Sequence, residues 1–126
     1  MRQNFLVKKG ETVDFDKVWT FDRNYQSEEV EVRAVVEENG LFKAKGRMVV
    51  EENIKGVNVF LRFRVLLAGK NARAEVVPEL EILSNDVKAG HAASIGKIDQ
   101  GQLFYLMSRG MSKIEAEKLI IKAFLS

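Results

Sequence analysis

Apolar and polar side chains alternate with a period of two along four segments, which cover residues 30–36, 42–50, 57–67 and 72–82. Within each segment, apolar residues occupy every second position, and charged or polar residues occupy most of the positions between them. This pattern is typical of β-strands that bury one face. Turn-forming residues separate the segments, at Asn39-Gly40, Lys55-Gly56, Gly69-Lys70 and Ser84-Asn85. We therefore predict a mainly β chain through about residue 83, with a sheet that is large for so small a domain.

The N-terminal third carries a weaker strand pattern. Phe5–Val7 and Val18–Phe21 are each predicted to form a short strand, with breaks at Gly10 and at the polar stretch Arg23–Ser27. The two aromatic residues of the second strand lie at alternate positions and are assigned to the core. The single proline, Pro78, lies inside an otherwise regular strand pattern. Because proline lacks an N–H group, we place it at an edge, bend or bulge and predict a corner in the sheet there.

The last 28 residues change to a helical period. Asp99 is a candidate N-cap for a first helix, and Gly110 is the expected residue just beyond its C-terminus. Ser112 and Glu115 match a capping box that starts a second helix at once. The predicted packing faces consist of Leu103, Leu106 and Met107 in the first helix and Ile114, Leu119, Ile120, Ala123 and Phe124 in the second. The short link predicts an antiparallel or angled helical hairpin.

Four large apolar residues of this hairpin lie off the predicted packing faces: Phe104, Tyr105, Ile121 and Leu125. Burying a large side chain contributes about 1.5–3 kcal/mol, so four of them left in water would be costly and prone to aggregation. Either the end of the sheet or a partner protein must cover them. A docking surface on the hairpin fits this surplus.

Composition limits the function classes. The chain has 126 residues, enough for one domain, and its net charge of +2 gives no argument for binding nucleic acid. No apolar run approaches the roughly 18 residues of a membrane span, and the N-terminus carries no signal-peptide pattern. There is no cysteine and one histidine, His91, which excludes thiol nucleophiles and histidine-rich metal centres. We expect a cytoplasmic domain that is not an enzyme and needs no cofactor of its own.

Several spaced blocks in the C-terminal two-fifths resemble the C-terminal part of the SufB/SufD family, the scaffold subunits of the SUF iron–sulfur cluster assembly machinery. The blocks are Pro78–Ile82, Asn85–Lys88, His91, Gly96–Asp99, Gln102–Leu106, Ser108–Gly110 and Glu115–Ala116. The strands from about residue 30 fit the family loosely, and the N-terminus hardly at all. Family members are much longer than this chain, so what the chain resembles is a short, SufD-like paralogue.

The resemblance implies a flattened, right-handed parallel β-helix with two sheets and a C-terminal helical hairpin. Residues 1–126 would then be a single domain, with a β-helix-like core over 1–97 and the hairpin over 98–126. The residues alone leave another fold open, because Asn39-Gly40 is the strongest short signal for a type I′ hairpin turn. An antiparallel β-meander sandwich with C-terminal helices therefore remains the alternative.

The resemblance also implies partners. Family members bind the ABC-type ATPase SufC through their C-terminal helices, which points to Leu103–Leu125 as the contact in this chain. Aromatic and arginine residues usually dominate such interfaces. The candidate partner-binding residues are Phe104, Tyr105, Arg109, Ile121 and Leu125.

His91 stands at the position of a SufD histidine that is associated, together with a cysteine of SufB, with building the nascent cluster. Ala89 stands where relatives commonly have cysteine, and iron–sulfur clusters are held chiefly by cysteine thiolates. We therefore expect a transient cluster at most, and only with a SufB-like partner subunit. The competing interpretation of His91 is an ordinary loop imidazole.

The leading hypothesis is a non-catalytic SufD-like component of cluster assembly that docks the SUF ATPase and pairs with a second scaffold subunit or with itself as a homo-oligomer. The alternative is a protein-interaction or oligomerisation domain without a role in cluster assembly.

Two rows of charged residues lie on the predicted strands. The basic row, Lys43, Lys45 and Arg47, could suggest an anion site, and the acidic row, Glu75, Glu79 and Glu81, could suggest paired catalytic acids. We interpret them instead as a solvated strand face with charge pairs across strands.

Overall fold

The fold consists of seven strands followed by two helices, in a computed structural model that describes residues 1–126. The strands are β1 (Arg2–Val7), β2 (Thr12–Phe21), β3 (Ser27–Val36), β4 (Leu41–Val50), β5 (Lys55–Leu67), β6 (Arg73–Ile82) and β7 (Asp86–Lys97). The helices are α1 (Gln100–Ser108) and α2 (Lys113–Leu125). No helix is both long and apolar enough to cross a lipid bilayer.

Every strand pair is parallel, and the strands alternate between two sheets. One sheet has the order β1-β3-β5-β7 and the other β2-β4-β6. Arg2 lies beside Glu31 and Leu41 beside Arg73, so one coil takes 29 to 32 residues. The chain is therefore a two-sheet parallel β-helix with C-terminal helices, as the family resemblance implied. The antiparallel meander is wrong.

The interior lies between the two sheets and is built from the period-two apolar positions. The largest fully buried side chains include Phe42, Met48, Val50, Leu61 and Phe63. Each coil stacks these residues on those of the next coil, so one continuous core forms along the axis. The alternation predicted from the sequence is confirmed in the first three segments, whereas the apolar positions of residues 72–82 are at most half-buried and Ile82 is exposed.

Asn39-Gly40, which is typical of a β-hairpin turn, instead forms a corner between two strands of one β-helix coil. Only Asn39 is left-handed, with a φ of 59°, whereas a type I′ turn needs positive φ at both residues. Gly40 is required by space instead, because a Cβ there would lie 2.9 Å from Val36 Cγ1 and 3.2 Å from Val7 Cγ1. The glycine lets two coils approach closely rather than reversing the chain.

The same corner recurs in successive coils with one left-handed residue each time, at Gly10, Asn39 and Asn71. The Asn39 N–H donates to the Lys70 carbonyl at 3.0 Å, and Asn71 Nδ2 donates to Asn39 Oδ1 at 3.2 Å. Both bonds join neighbouring coils at their turns, and the first satisfies backbone groups that strand pairing leaves free.

Three local predictions need correction. β1 and β2 are longer than predicted, and β7 was not predicted at all, because Asp86–Lys97 is rich in small residues and shows little alternation. Pro78 does not mark a corner. It lies within β6, paired in register with Gly46, so the predicted corner is wrong. The predicted edge position is confirmed, because β6 is an edge strand of its sheet, where a missing N–H is tolerated.

The predicted caps of the hairpin are present. Asp99 Oδ1 accepts hydrogen bonds from the N–H groups of Gly101 and Gln102 at 2.8 and 3.2 Å, and Ser112 Oγ accepts from Glu115 N–H at 3.1 Å. Gly110 has a φ of 97° and ends α1 as predicted. These caps satisfy backbone N–H groups at the start of both helices.

A second, smaller core joins the hairpin to the β1-β3-β5-β7 sheet. Its buried residues are Val35, Leu66, Ile98, Leu103 and Ala116. Val35 and Leu66 point away from the interior of the β-helix, so the helices cover part of the outer face of this sheet. The hairpin is therefore packed on the coils.

The predicted packing faces of the helices are partly wrong. Met107, Ile114 and Leu119 were assigned to the buried side but are exposed. Ala116 is buried in their place, and Ile121 packs against the second core. Because apolar residues occur on nearly every side of α2, their spacing could not identify the buried side.

Candidate functional site

The helical hairpin carries five of the large apolar side chains that are exposed on the molecule, and the others lie at separate places along the strands and turns. Phe104 is 75% exposed, Ile114 67% and Tyr105 54%. Met107 and Leu119 are also exposed, and we refer to these five residues as the hairpin patch. Large clustered apolar side chains in water commonly mark protein interfaces.

The structure divides the five predicted partner-binding residues into two groups. Phe104, Tyr105 and Arg109 are exposed on α1 and the turn that follows it. Ile121 and Leu125 are half-buried and pack against the second core, so the sheet covers most of them. The available surface thus lies on α1 and on the outer side of α2.

A groove of about 560 Å³ runs between the two helices. Tyr105 and Leu106 line it from α1, and Leu119, Ile120 and Ala123 line it from α2. Asp99, Gly101 and Gln102 form its end at the start of α1. A groove of this kind, apolar between two capped helices, suits a helix or a loop of another protein.

Arg109 is held against Tyr105, one turn earlier. Its Nε and Nη2 atoms lie 3.2 and 3.0 Å from the Tyr105 hydroxyl oxygen and donate to it. Its guanidinium carbon lies 5.3 Å from the centre of the tyrosine ring, within cation–π range. The pair therefore forms a fixed edge beside the groove.

The far end of the hairpin is fastened to the sheet by side chains that sequence reasoning missed. Arg33 Nη1 donates to the carbonyl oxygens of Phe124 at 2.8 Å and Ser126 at 3.1 Å. Glu31 lies 3.2 Å from Arg33 Nη2, and the Arg64 guanidinium lies 5.4 Å from the Phe124 ring centre. Arg33 therefore satisfies carbonyl groups at the C-terminus of α2, and its positive charge also complements the dipole of that helix.

His91 lies on β7, an edge strand, beside Leu61 of β5. Because paired residues of parallel strands share a face, its side chain follows the inward-facing row at the open end of the coils. It is exposed, and Ala89 and Ala93 flank it in the same row. Nowhere in the chain do three or more His, Cys, Asp or Glu side chains converge in a way that could hold a metal ion.

The charged rows form a ladder across the outer face of the β2-β4-β6 sheet. Glu79 accepts two hydrogen bonds from Arg47, at 3.0 and 2.7 Å, and lies 3.5 Å from Lys45 Nζ. The Arg47 hydrogen bond holds the pKa of Glu79 below its ordinary value. A carboxyl group that acts as a general acid needs a raised pKa, so the lowered pKa of Glu79 gives no support to glycosidase chemistry. The contacts with Arg47 and Lys45 confirm the charge-pair interpretation.

Comparisons with known proteins agree with this architecture. Residues 1–124 match a family model described as SUF system FeS cluster assembly, SufBD core domain. The chain is 43% identical over 88 residues to the iron–sulfur cluster assembly protein SufD of Bacillus subtilis, which covers 70% of the chain and 20% of that relative.

Two further relatives show the same relation. The SufD protein of Escherichia coli is 49% identical over 59 residues, which cover 47% of the chain and 14% of that protein. An iron–sulfur cluster assembly SufBD family protein of Mycobacterium tuberculosis is 39% identical over 80 residues, which cover 63% of the chain and 20% of that protein. The chain spans about a fifth or less of the length of these relatives. It belongs to the SufBD core domain family.

Proposed function

We propose that the chain acts in iron–sulfur cluster assembly as a non-catalytic, SufD-like component that docks the ABC-type ATPase of the SUF system through its helical hairpin. Family membership and the names of the relatives support the assembly role. The observation that carries the docking proposal is the hairpin patch, a group of large apolar side chains exposed on two capped and anchored helices.

The energetics favour a protein partner on this surface. Covering a large apolar side chain contributes about 1.5–3 kcal/mol, and the hairpin is already ordered by its caps and by Arg33. A preorganised surface loses little conformational entropy on binding, so more of this burial contributes to affinity. Phe104, Tyr105 and Arg109 are of the residue types that dominate interfaces, and Ile121 and Leu125 support the helices from beneath.

A second contact is proposed at the open end of the coils, with a SufB-like scaffold subunit or with a second copy of the chain. β6 and β7 are edge strands, each with one side that no other strand of the chain pairs. Such an edge is a template for pairing with another chain. His91 lies on this edge, where it would face a partner that supplies the thiolates for a transient cluster.

The alternative function is an interaction or oligomerisation domain without a role in cluster assembly. It predicts self-association through the strand edges and no affinity for the SUF ATPase. The two functions therefore differ in one measurable property, which is binding to that ATPase.

The test is size-exclusion chromatography and calorimetric titration with the SUF ATPase of the same organism, with and without nucleotide. We expect a complex, and at least a tenfold weaker one after Phe104→Ala with Tyr105→Ala, since about 1.4 kcal/mol corresponds to tenfold in Kd. Val18→Ser removes a side chain that is 54% exposed on the sheet far from the hairpin and serves as the control. No complex, or equal affinity for the double variant, would favour the alternative.

A further inference from the structure

Three cations of the hairpin have no carboxylate partner within the chain. Arg109, Lys118 and Lys122 form no ion pair, whereas Lys113 lies 4.0 Å from Glu117. Gln100–Ser108 contains no charged residue, and the Asp99 carboxylate is engaged as the cap of α1. Asp99 and Glu115 are exposed carboxylates that form no ion pair, so the three unpaired cations and these two carboxylates leave a net charge of +1 around the patch.

Helix geometry places two of these cations among the apolar side chains of α2. Lys118 follows Ile114 by four residues and Lys122 follows Leu119 by three, and residues at these spacings are neighbours on a helix surface. Glu115 lies on the same side of α2, three residues before Lys118 and four before Leu119. A partner that covers Ile114 and Leu119 must therefore approach both ammonium groups and this one carboxylate.

Hydrogen bonds to Tyr105 fix the orientation of the Arg109 guanidinium. Its Nε and Nη2 atoms donate one proton each to the Tyr105 hydroxyl, so the Nη1 protons and the second Nη2 proton remain unused. These protons form the end-on edge of the guanidinium, which matches the two oxygens of a carboxylate. Tyr105 is thus a positioning residue that presents Arg109 to an acidic group.

From these three observations we infer that the protein surface recognised by the hairpin is acidic, with an apolar centre for the hairpin patch, carboxylates opposite Lys118 and Lys122, and one carboxylate paired end-on with Arg109. This inference rests on the proposed docking function and specifies the chemistry of the partner. A polyanion is the weaker fit, because five large apolar side chains share the surface with only three free cations.

The experiment measures association and dissociation rates with the SUF ATPase at low and high salt, about 50 and 300 mM. Reversing two charges, with Lys118→Glu and Lys122→Glu, is expected to slow association about tenfold at low salt and much less at high salt, because screening removes the attraction. Arg109→Gln is expected to speed dissociation about tenfold. Tyr105→Phe keeps the ring and should have a smaller effect in the same direction.

The matched control reverses two cations at the opposite corner of the coils, with Arg23→Glu and Lys55→Glu, and should leave both rates unchanged. Circular dichroism checks that every variant is folded. If wild type binds and the hairpin reversals change neither the rates nor their salt dependence, the acidic-partner inference is wrong and the docking function stands.

If wild type does not bind at all, the docking function fails and the inference fails with it. Wild-type binding to single-stranded RNA or to anionic vesicles that is lost on the hairpin reversals would also overturn the inference. That result would assign the cations to a polyanion instead of an acidic protein surface.

Discussion

Gly69→Ala is the most direct perturbation of coil stacking. Gly69 lies at the corner that follows β5, directly against the corner of the previous coil. A Cβ atom there would lie 2.7 Å from the Glu38 Cα and 3.1 Å from the Glu37 carbonyl carbon, and closer still to the Glu38 backbone nitrogen. Because these are backbone atoms, no side-chain rotation can relieve the clash. The two corners must move apart.

The size of the effect follows from this geometry. Overpacking that forces a backbone shift costs about 1–3 kcal/mol, and we expect Gly69→Ala near 2 kcal/mol. Gly96 provides the matched control, because a Cβ there meets nothing within 4 Å and its φ is not left-handed. Gly96→Ala should be neutral or stabilise the fold by up to about 1 kcal/mol, as expected when glycine is replaced in a strand.

The assay is thermal and urea unfolding of both variants beside wild type. At this chain length about 1 kcal/mol corresponds to about 4 °C in Tm, so the two variants should differ by roughly 10 °C. Equal stability of Gly69→Ala and Gly96→Ala would refute the close approach of the corners, and with it the stacking of coils at Asn39 and Asn71.

Three smaller predictions follow. Arg33→Met should destabilise the fold by about 2 kcal/mol and increase amide exchange at the end of α2, because Phe124 and Ser126 carbonyls lose a charged donor; unchanged exchange would contradict the anchor. Ser112→Ala should cost about 1 kcal/mol in urea unfolding through loss of the α2 cap, and no loss would mean that the cap is replaced by water. The lowered pKa of Glu79 means that its stabilisation is complete above its ordinary value of 4.5 and is lost as the pH falls through its lower folded-state pKa. Glu79→Gln should therefore reduce the fall in Tm on acidification from about pH 5 to pH 3. Glu75→Gln removes a carboxylate without an ion pair and should change this fall less. Equal dependence of Tm on pH in the two variants would contradict the Arg47–Glu79 pairing.

Local pattern identified most of the strands but could not identify how they connect. Alternation is the same in a hairpin and in a coil, and Asn39-Gly40 carries the turn chemistry of both. The distinction depends on contacts between residues about 30 positions apart, such as Asn39 with Asn71, which no local window contains. The resemblance to a known family supplied this long-range information.

The features missed by sequence reasoning share this cause. β7 has few large apolar residues, and its strand forms through backbone pairing along β5. Arg33 alternates like any outward charge, and its role depends on where the last turn of α2 lies. Ile114 and Leu119 were assigned to the buried side because α2 is apolar on most sides, and only the position of the sheet decides which side packs.

The most direct test of the docking account is hydrogen exchange of the chain with and without the SUF ATPase. We expect new protection over residues 100–125, centred on the hairpin patch and on the groove between α1 and α2, with little change in β3 and β4. Protection confined to β6 and β7, with α1 and α2 unchanged, would contradict the account, because the partner would then bind the strand edges and leave the hairpin free.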